Sequence, residues 1–217
     1  MIKAGIWDLG GVLFTNGTKL FVKEISEKYG LDPKFVLEVM DGPIGSQYRE
    51  SQISKDEFWA KAIKELNIKA DPDELNNQWI DGYHLIEGTR DLVQELRANM
   101  PQYYLSDNVE ERVQRINERT GFLKWFDGGL FSYEADVRKP NPKFYELGLQ
   151  RAGVRAEDSF FVDDKESALV PFKEMGGKVI LFTTPEECRK ELEGMGLLPR
   201  TPEGQKISYH SVEGQNH

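Results

Sequence analysis

Residues 2–14 read IKAGIWDLGGVLF, an alternating apolar run that ends on a carboxylate, Asp8, and continues into two glycines. An apolar run bounded by turn residues predicts a buried β-strand. A carboxylate at the C-terminal end of such a strand needs water or a partner, because burying an unpaired charge is costly. The ligand sites of open α/β sheets lie at these strand ends. Asp8 is therefore predicted either to cap the strand or to take part in chemistry.

Four further apolar runs predict strands later in the chain. They are QYYLSDN (102–108), GGLFSYE (128–134), SFFVDD (159–164) and KVILFTT (178–184). Helical patterns alternate with these strands at 110–123, 140–153 and 166–177. Strands that alternate with helices predict an α/β fold, with a Rossmann-like, doubly wound parallel sheet covered on both faces.

The segment from Lys19 to Gly82 interrupts this alternation, because it contains only helical patterns. Ser54 followed by Glu57 predicts a capping box at the start of one of these helices. Helices between the first strand and its partners predict an inserted all-helical subdomain. The expected division is an α/β core at 1–18 and 83–198, a helical subdomain at 19–82 and a polar, disordered tail at 199–217.

The composition restricts the classes of function. A formal net charge of -9 over 217 residues argues against a nucleic-acid partner, which needs a basic surface. No stretch approaches membrane-spanning length, and the first residues lack the apolar region of a signal peptide. One cysteine, Cys188, allows no internal disulfide. We therefore expect a cytoplasmic protein without nucleic-acid or membrane partners, either a monomer or a homodimer.

Further polar side chains follow the predicted strands at their C-terminal ends. Ser106 ends the second strand, Asp163 and Asp164 end the fourth, and Lys139 comes just before a helix. In a doubly wound sheet these ends converge on one edge. Asp8 and the Asp163–Asp164 pair would repel one another there unless they shared a cation, and carboxylate oxygens suit Mg²⁺.

Each of these residues also has an ordinary structural explanation. A single Asp after a strand is more often a turn residue than a ligand. Ser106 and the Asp163–Asp164 pair could cap the helices that follow them, and Lys139 could be a solvated charge. All of them occur together at strand ends, however, and this combination favours the chemical interpretation.

In this combination the chain resembles the haloacid dehalogenase superfamily. The family's aspartate nucleophile is matched by Asp8 in WDLGGVLF, and its Ser or Thr after the second strand by Ser106 in YLSDN. Its basic residue is matched by Lys139 in VRKPNP, and its acidic metal pair by Asp163 and Asp164 in FVDDKES. The four motifs occur in the family's order.

The resemblance extends to the segment after the first motif. The predicted helical subdomain resembles the family's cap domain, and Asn16–Gly17 in TNGTK predicts a hairpin turn similar to the family's flap. The stretch DLGGVLF is most similar to the branch of small phosphatases that includes glucose-1-phosphate phosphatases and the N-terminal domain of soluble epoxide hydrolases.

The resemblance implies a Mg²⁺-dependent phosphatase that acts on a small phosphorylated metabolite, such as a sugar phosphate. Asp8 would attack phosphorus to give an aspartyl phosphate. Mg²⁺ would be held by Asp8, the Gly10 carbonyl and Asp164, with Asp163 acting through water.

The same resemblance implies how the phosphate would be held. Ser106 and Lys139 would bind its oxygens, an electrostatic role that is also catalytic. Asp107 and Asn108, which follow Ser106, complete the expected substrate-binding set.

Three positions depart from the family's usual pattern. Gly10 stands where most of its phosphatases have a second Asp that serves as general acid, although glucose-1-phosphatase-like members also have Gly there. Asp107 stands where Asn is usual, and could supply the missing proton. Ala168 replaces a polar Asn. These departures leave open a binding or scaffold protein, and a 2-haloacid dehalogenase is a further alternative, disfavoured because dehalogenases need no acidic metal pair.

Overall fold

Five short apolar runs form one parallel sheet, and the predicted α/β fold is confirmed. The computed structural model describes residues 1–202. Its strands are β1 (Ala4–Trp7), β2 (Gln102–Ser106), β3 (Gly128–Phe131), β4 (Ser159–Asp163) and β5 (Lys178–Leu181). They lie in the order β3-β2-β1-β4-β5, and every neighbouring pair is parallel. The chain therefore winds outward on both sides of β1, as a doubly wound sheet does.

Eleven α-helices surround or precede the later strands of the described chain. They are α1 (Gly17–Tyr29), α2 (Pro33–Asp41), α3 (Pro43–Arg49), α4 (Lys55–Leu66), α5 (Pro72–Asp81), α6 (Glu87–Arg97), α7 (Glu110–Thr120), α8 (Ser132–Ala135), α9 (Pro142–Ala152), α10 (Glu166–Glu174) and α11 (Pro185–Gly194). Short 3₁₀ turns cover Phe122–Trp125 and Ala156–Asp158.

The two faces of the sheet are both buried under helices. Successive side chains of a strand point to opposite faces. On one face, Ile6 of β1 belongs to a buried cluster with Phe144 of α9 and Phe172 of α10. On the other, Trp7 belongs to a larger cluster that includes Leu92 of α6. Burial on both faces explains why the strands read as nearly continuous apolar runs.

The register of the strands brings their polar ends together. Trp7 lies opposite Tyr104 of β2 and Val162 of β4. Asp8, the next residue, therefore lies level with Asp163, and its backbone N–H donates to the Val162 carbonyl at 2.9 Å. The carboxyl ends of three central strands thus meet at one edge of the sheet.

Residues 17–81, which contain α1 to α5, form a purely helical segment between β1 and β2. Their mutual packing is aromatic, with Phe58 stacked on Tyr48 at 4.7 Å between ring centroids and Trp59 edge-on to Trp79 at 5.8 Å. The predicted capping box at the start of α4 is confirmed, since Ser54 and Glu57 bond reciprocally to each other's backbone N–H groups. We refer to residues 17–81 as the helical segment.

The predicted hairpin turn at Asn16–Gly17 is not formed. Asn16 instead caps α1, and its side-chain oxygen accepts a hydrogen bond from the Lys19 backbone N–H at 3.1 Å. Asn is a favoured N-cap residue, and this local bond competes with the turn. The chain before α1 is held by bridges that join Phe14 to Gly10 and to Leu85.

Three other expectations concern the whole chain. Residues 203–217, most of the tail predicted at 199–217, lie outside the described residues. Within residues 1–202, no helix is both long and apolar enough to cross a membrane. Cys188 is a buried free thiol, and burial raises its pKa to about 12.

Candidate active site

Three carboxylates meet at the carboxyl edge of the sheet. Asp8 follows β1, Asp163 ends β4, and Asp164 is the next residue. One carboxylate oxygen from each lies within 4.8 Å of the other two. Asp163 is fully buried and Asp8 is 7% exposed. The parallel register is what places them together, because all three lie at the carboxyl ends of β1 and β4, which pair with each other.

Lys139 lies between two of these carboxylates. Its Nζ is 2.9 Å from Asp8 Oδ1 and 2.6 Å from Asp163 Oδ2. Burial alone would lower the pKa of this ammonium, but the Asp163 and Asp8 carboxylates hold it above its ordinary value. Burial raises the pKa of Asp8 to about 7; Lys139 opposes this rise and Asp163 adds to it. Lys139 is thus a permanent cation that favours the ionised form of Asp8.

The remaining carboxylate oxygens differ in their partners. Asp163 has both oxygens occupied, since Oδ1 accepts from the Lys165 backbone N–H at 2.9 Å and Oδ2 from Lys139. Asp164 Oδ2 accepts from Asn16 and Lys19, each at 3.3 Å. Asp164 Oδ1 is buried and has no hydrogen-bond partner among residues 1–202.

An unpartnered buried carboxylate oxygen is costly, and beside two further carboxylates this atom is suited to a cation that all three would share. Oxygens are the donors that Mg²⁺ prefers. The Gly10 carbonyl also accepts no hydrogen bond from the described part of the chain. The oxygens of Asp8 and Asp164 therefore fit a magnesium ion, the Gly10 carbonyl two residues after Asp8 is a further available oxygen, and Asp163 already accepts hydrogen bonds at both of its oxygens.

The two glycines after Asp8 have different surroundings. Gly11 has φ +92°, and a Cβ on it would lie 2.5 Å from Asp164 Cγ. A side chain there would be strained and would displace Asp164, so the position requires glycine. A Cβ on Gly10 would meet only the Tyr83 ring, at 3.3 Å from Cε1. Tyr83 thus faces the position where a second aspartate is usual.

A cavity of about 280 Å³ opens between the sheet edge and the helical segment. Its walls carry charged and polar side chains from both parts of the molecule. The lining residues include Asp8, Thr18, Asp41, Tyr83, Asp107, Asn108, Arg138 and Lys139. Ser106, which ends β2 and is 1% exposed, is buried beside the site and is not among the lining residues of the described chain.

Asp107 and Asn108, the other predicted substrate-binding residues, are both held by neighbouring donors. Asp107 accepts from Arg138 Nε at 3.1 Å and from the Lys139 backbone N–H at 3.0 Å, so both of its oxygens are occupied. Asn108 Oδ1 accepts from the Val109 backbone N–H at 3.1 Å and from Arg112 Nε at 2.6 Å. The Asn108 amide therefore has its NH₂ group available to the cavity.

Arg138 and Asp41 were missed by the sequence reasoning. Arg138 Nη2 lies 2.8 Å from Asp41 Oδ1, and Lys165 Nζ lies 3.2 Å from Asp41 Oδ2. Burial alone would raise the pKa of Asp41, but Arg49, Lys165 and Arg138 hold it well below its usual range. These pairs join the helical segment to the sheet edge, and Arg138, Asp41 and Lys165 all line the cavity. The only sequence signal is that Arg138 precedes Lys139.

Comparison with known proteins identifies a family. The model of the haloacid dehalogenase-like hydrolases matches residues 2–176. An uncharacterised protein of Dictyostelium discoideum is 28% identical over 145 residues, which are 64% of this chain and 63% of that protein. The match thus spans less than two thirds of that relative. Flavin mononucleotide hydrolase 1 of Arabidopsis thaliana, named as chloroplastic, is 22% identical over 182 residues, 84% of this chain and 74% of that protein.

Solved structures share the fold. A haloacid dehalogenase family enzyme from Bacteroides thetaiotaomicron, crystallised with magnesium and inorganic phosphate, superposes with a TM-score of 0.69. The two sequences are 21% identical, and the match covers 85% of this chain and 96% of that one.

Proposed function

The chain belongs to the haloacid dehalogenase-like hydrolase family, and on that premise we propose that it is a Mg²⁺-dependent phosphatase. It hydrolyses a small phosphorylated metabolite through an aspartyl-phosphate intermediate on Asp8. One observation carries the proposal. The buried Asp8 carboxylate is paired with Lys139 at 2.9 Å and lies beside Asp164, whose Oδ1 has no partner in the described chain.

Asp8 is the nucleophile in this account. A carboxylate attacks phosphorus only in its ionised form, and burial opposes ionisation. The Lys139 ammonium lies 2.9 Å from Asp8 Oδ1 and favours the ionised carboxylate, which opposes this effect of burial. Attack by Asp8 splits the hydrolysis into two easier steps, formation of the aspartyl phosphate and its hydrolysis by water. Of the carboxylates, Asp163 has both oxygens occupied, which favours Asp8 for this role.

Mg²⁺ would be held by Asp8, the Gly10 carbonyl and Asp164, and when bound it neutralises charge on the phosphoryl group. Asp163 would contribute through water, because its own oxygens bond to Lys139 and to the Lys165 backbone. The crystallised Bacteroides relative contains magnesium and inorganic phosphate, which supports the choice of ion and of ligand.

The phosphate oxygens are bound by cations and N–H donors of the cavity. Lys139 lies next to Asp8 and keeps its charge because of the carboxylates around it. The free NH₂ group of Asn108 is a second donor on the same wall. Ser106 is buried at the end of β2 and does not line the cavity in the described chain, so its binding of a phosphate oxygen stays a prediction, and Asp107 holds Arg138 in place. Fixed donors of this kind stabilise the charge that develops in the transition state.

The helical segment serves as a cap that sets the substrate class. The cavity of about 280 Å³ is closed on one side by residues of this segment, and its size suits a small metabolite such as a sugar phosphate. Flavin mononucleotide, named in the Arabidopsis relative, is also a phosphate monoester. Cytoplasmic location and the choice between monomer and homodimer stay predictions.

Phosphate release tests the proposal. We expect the purified protein to hydrolyse p-nitrophenyl phosphate and acetyl phosphate with Mg²⁺ and to lose this activity with a chelator. Asp8→Asn should abolish it. Asp158→Asn is the matched control, because Asp158 precedes β4 at its opposite end and pairs with Lys3 and Arg155. A folded native protein that binds phosphate without hydrolysing any ester would contradict the proposal and favour the binding-protein alternative.

A further inference from the structure

The position of Gly10 raises the question of what assists the leaving group. A phosphatase that cleaves an ester of a simple alcohol must stabilise the charge on the departing oxygen, and Gly10 has no side chain to do so. The ring of Tyr83 faces this position, with Cε1 3.3 Å from where a Cβ would stand. The same ring packs on Gly17, where a Cβ would lie 2.2 Å from Cδ2. Tyr83 is therefore wedged between the two glycines.

The hydroxyl of Tyr83 belongs to a buried hydrogen-bond chain. It lies 3.0 Å from the Thr18 hydroxyl and accepts from Arg112 Nη1 at 2.9 Å. Thr18 Oγ1 accepts in turn from Trp79 Nε1 at 3.0 Å. Thr18, Tyr83 and Arg112 are all less than a tenth exposed.

One hydroxyl proton of this hydrogen-bond chain is not used by the bonds within it. Indole and guanidinium N–H groups can only donate, so Trp79 and Arg112 use acceptor sites on the two hydroxyls. The bond between Thr18 and Tyr83 uses one of the two hydroxyl protons, whichever direction it takes. The other proton has no acceptor within residues 1–202. Both residues line the cavity, so this proton is available to a ligand there.

Arg112 makes this donor stronger. Its guanidinium stacks on the rings of Trp79 and Tyr83, at 4.4 Å and 4.7 Å from their centroids. It donates to Asn108 and Tyr83, and no carboxylate of residues 1–202 forms a salt bridge with it. The charge is therefore balanced by hydrogen bonds and rings alone, and in a buried site it polarises the hydroxyl that accepts from it.

We propose that the Thr18–Tyr83 hydroxyl pair, polarised by Arg112, donates a hydrogen bond to the leaving-group oxygen of the substrate in place of the aspartate that Gly10 lacks. The hydroxyl that touches the substrate is catalytic, and Arg112 is a positioning residue. This inference rests on the proposed phosphatase function.

The step balances without a further reactant. An Asp8 oxygen forms a bond to phosphorus while the ester P–O bond breaks, and its electron pair stays on the leaving oxygen. The hydroxyl pair stabilises that charge and keeps its own proton. The alkoxide takes a proton from water, and the hydroxide so formed hydrolyses the aspartyl phosphate, so that one water is consumed overall.

Leaving-group selectivity tests this inference. The measurement is kcat/KM for p-nitrophenyl phosphate, whose leaving group needs little help, and for glycerol 3-phosphate, whose leaving group needs more. In Thr18→Val we expect the value for the glycerol ester to fall about 10²-fold, of the order lost with one oxyanion donor. The aryl ester should fall much less, so the aryl-to-alkyl ratio rises. Thr18→Ser, which restores the hydroxyl, should restore the ratio.

Two more variants separate catalysis from structure. Tyr83→Phe keeps the ring between the glycines and should shift the ratio in the same direction, even if Thr18→Val fails to fold. Thr15→Val is the matched control, because within residues 1–202 the Thr15 hydroxyl bonds only to the Gly82 carbonyl and the His84 N–H. It should leave the ratio at the native value.

The outcomes distinguish the inference from the function on which it rests. A native protein that hydrolyses both esters, and whose ratio is unchanged in Thr18→Val and Tyr83→Phe, contradicts the inference alone. An equal fall for both esters also contradicts it, because a purely structural role would have that effect. A native protein that hydrolyses neither ester contradicts the proposed function and the inference together.

Discussion

Arg138, which precedes the site lysine, forms a 2.8 Å ion pair with Asp41 at the end of α2 in the helical segment. The same guanidinium donates to Asp107 at 3.1 Å and to Ser46 of α3 at 2.9 Å. One side chain thus connects the segment after β2, the loop before α9 and two helices that cover the cavity. This side chain is one of the connections that hold the helical segment over the site, together with the Lys165–Asp41 pair and the hydrogen bond from Ser132 to the Arg49 carbonyl.

Replacing Asp41 should therefore destabilise the packing of the helical segment over the site. We expect Asp41→Asn to lower the free energy of unfolding by about 1.5–3 kcal/mol at pH 7, the range for hydrogen bonds to charged groups. Asp32→Asn is the control on the same helix, because Asp32 caps α2 and Asn caps equally well. Denaturant unfolding measures both, and an equal small effect of the two changes would contradict the role of Asp41.

The contribution of Asp41 to the free energy of unfolding should decrease as the pH falls. Its pKa is depressed in the folded protein, so its contribution is fully present above the unfolded pKa of about 3.9. The contribution is lost as the pH falls from there through the folded pKa. The stability difference between native protein and Asp41→Asn should be constant from pH 7 to 5 and shrink in more acidic solution. A difference that grows on acidification would contradict this sign.

Magnesium should stabilise the fold by binding at the carboxylate cluster. We expect millimolar Mg²⁺ to raise the melting temperature, since a ligand that binds only the folded state stabilises it by mass action. Asp164→Asn should abolish the rise, because Asp164 Oδ1 is the unpartnered oxygen. Asp158→Asn should retain it. If millimolar Mg²⁺ leaves the melting temperature of the native protein unchanged, the result would contradict the metal site.

Substitution by alanine should destabilise the protein more at Gly11 than at Gly10. Gly11→Ala forces a side chain into φ +92° and against Asp164 at 2.5 Å, so we expect a loss of about 2 kcal/mol or more. Gly10→Ala meets one ring atom at 3.3 Å and should cost less than about 1 kcal/mol. Thermal unfolding of the metal-free variants measures the difference. Equal losses would contradict the distinct surroundings of the two glycines.

Asp107 should not be the missing acid. Both of its oxygens accept hydrogen bonds from Arg138 and from the Lys139 backbone, so it positions a cation and a loop. Asp107→Asn should therefore leave the ratio of aryl to alkyl ester hydrolysis at the native value. A selective loss of alkyl ester hydrolysis in this variant would identify Asp107 as the proton donor.

The strands could be predicted from the sequence because each is a short apolar run bounded by turn residues, and all five form. Three helices, α3, α6 and the one-turn helix α8, were not predicted, and α8 lies largely within the stretch 128–134 that was predicted as a strand. Their N-cap residues, Gly42, Ile86 and Phe131, make no side-chain capping bond, so a polar N-cap signal is absent, although Pro43 stands in the first turn of α3. At Asn16–Gly17 a hairpin turn was predicted where helix α1 begins, because Asn favours both turns and N-caps.

The carboxylate cluster could be predicted for a topological reason. Asp8, Asp163 and Asp164 follow strands, and parallel strands bring such residues to one edge. Asp41, Thr18 and Arg112 come from helices whose packing over the sheet has no signal in the sequence. These surrounding side chains could therefore be identified only from the structure, whereas the carboxylate cluster could be predicted from the sequence.

The most direct measurement of the central claim is the identification of the phosphorylated residue. Protein mixed with acetyl phosphate and Mg²⁺ is quenched and reduced with borohydride, which converts an aspartyl phosphate to homoserine, and the peptides are analysed by mass spectrometry. We expect homoserine at position 8 in the native protein, and none in Asp8→Asn or without substrate. Homoserine at Asp163 or Asp164 instead, or phosphate release by Asp8→Asn at the native rate, would contradict the account.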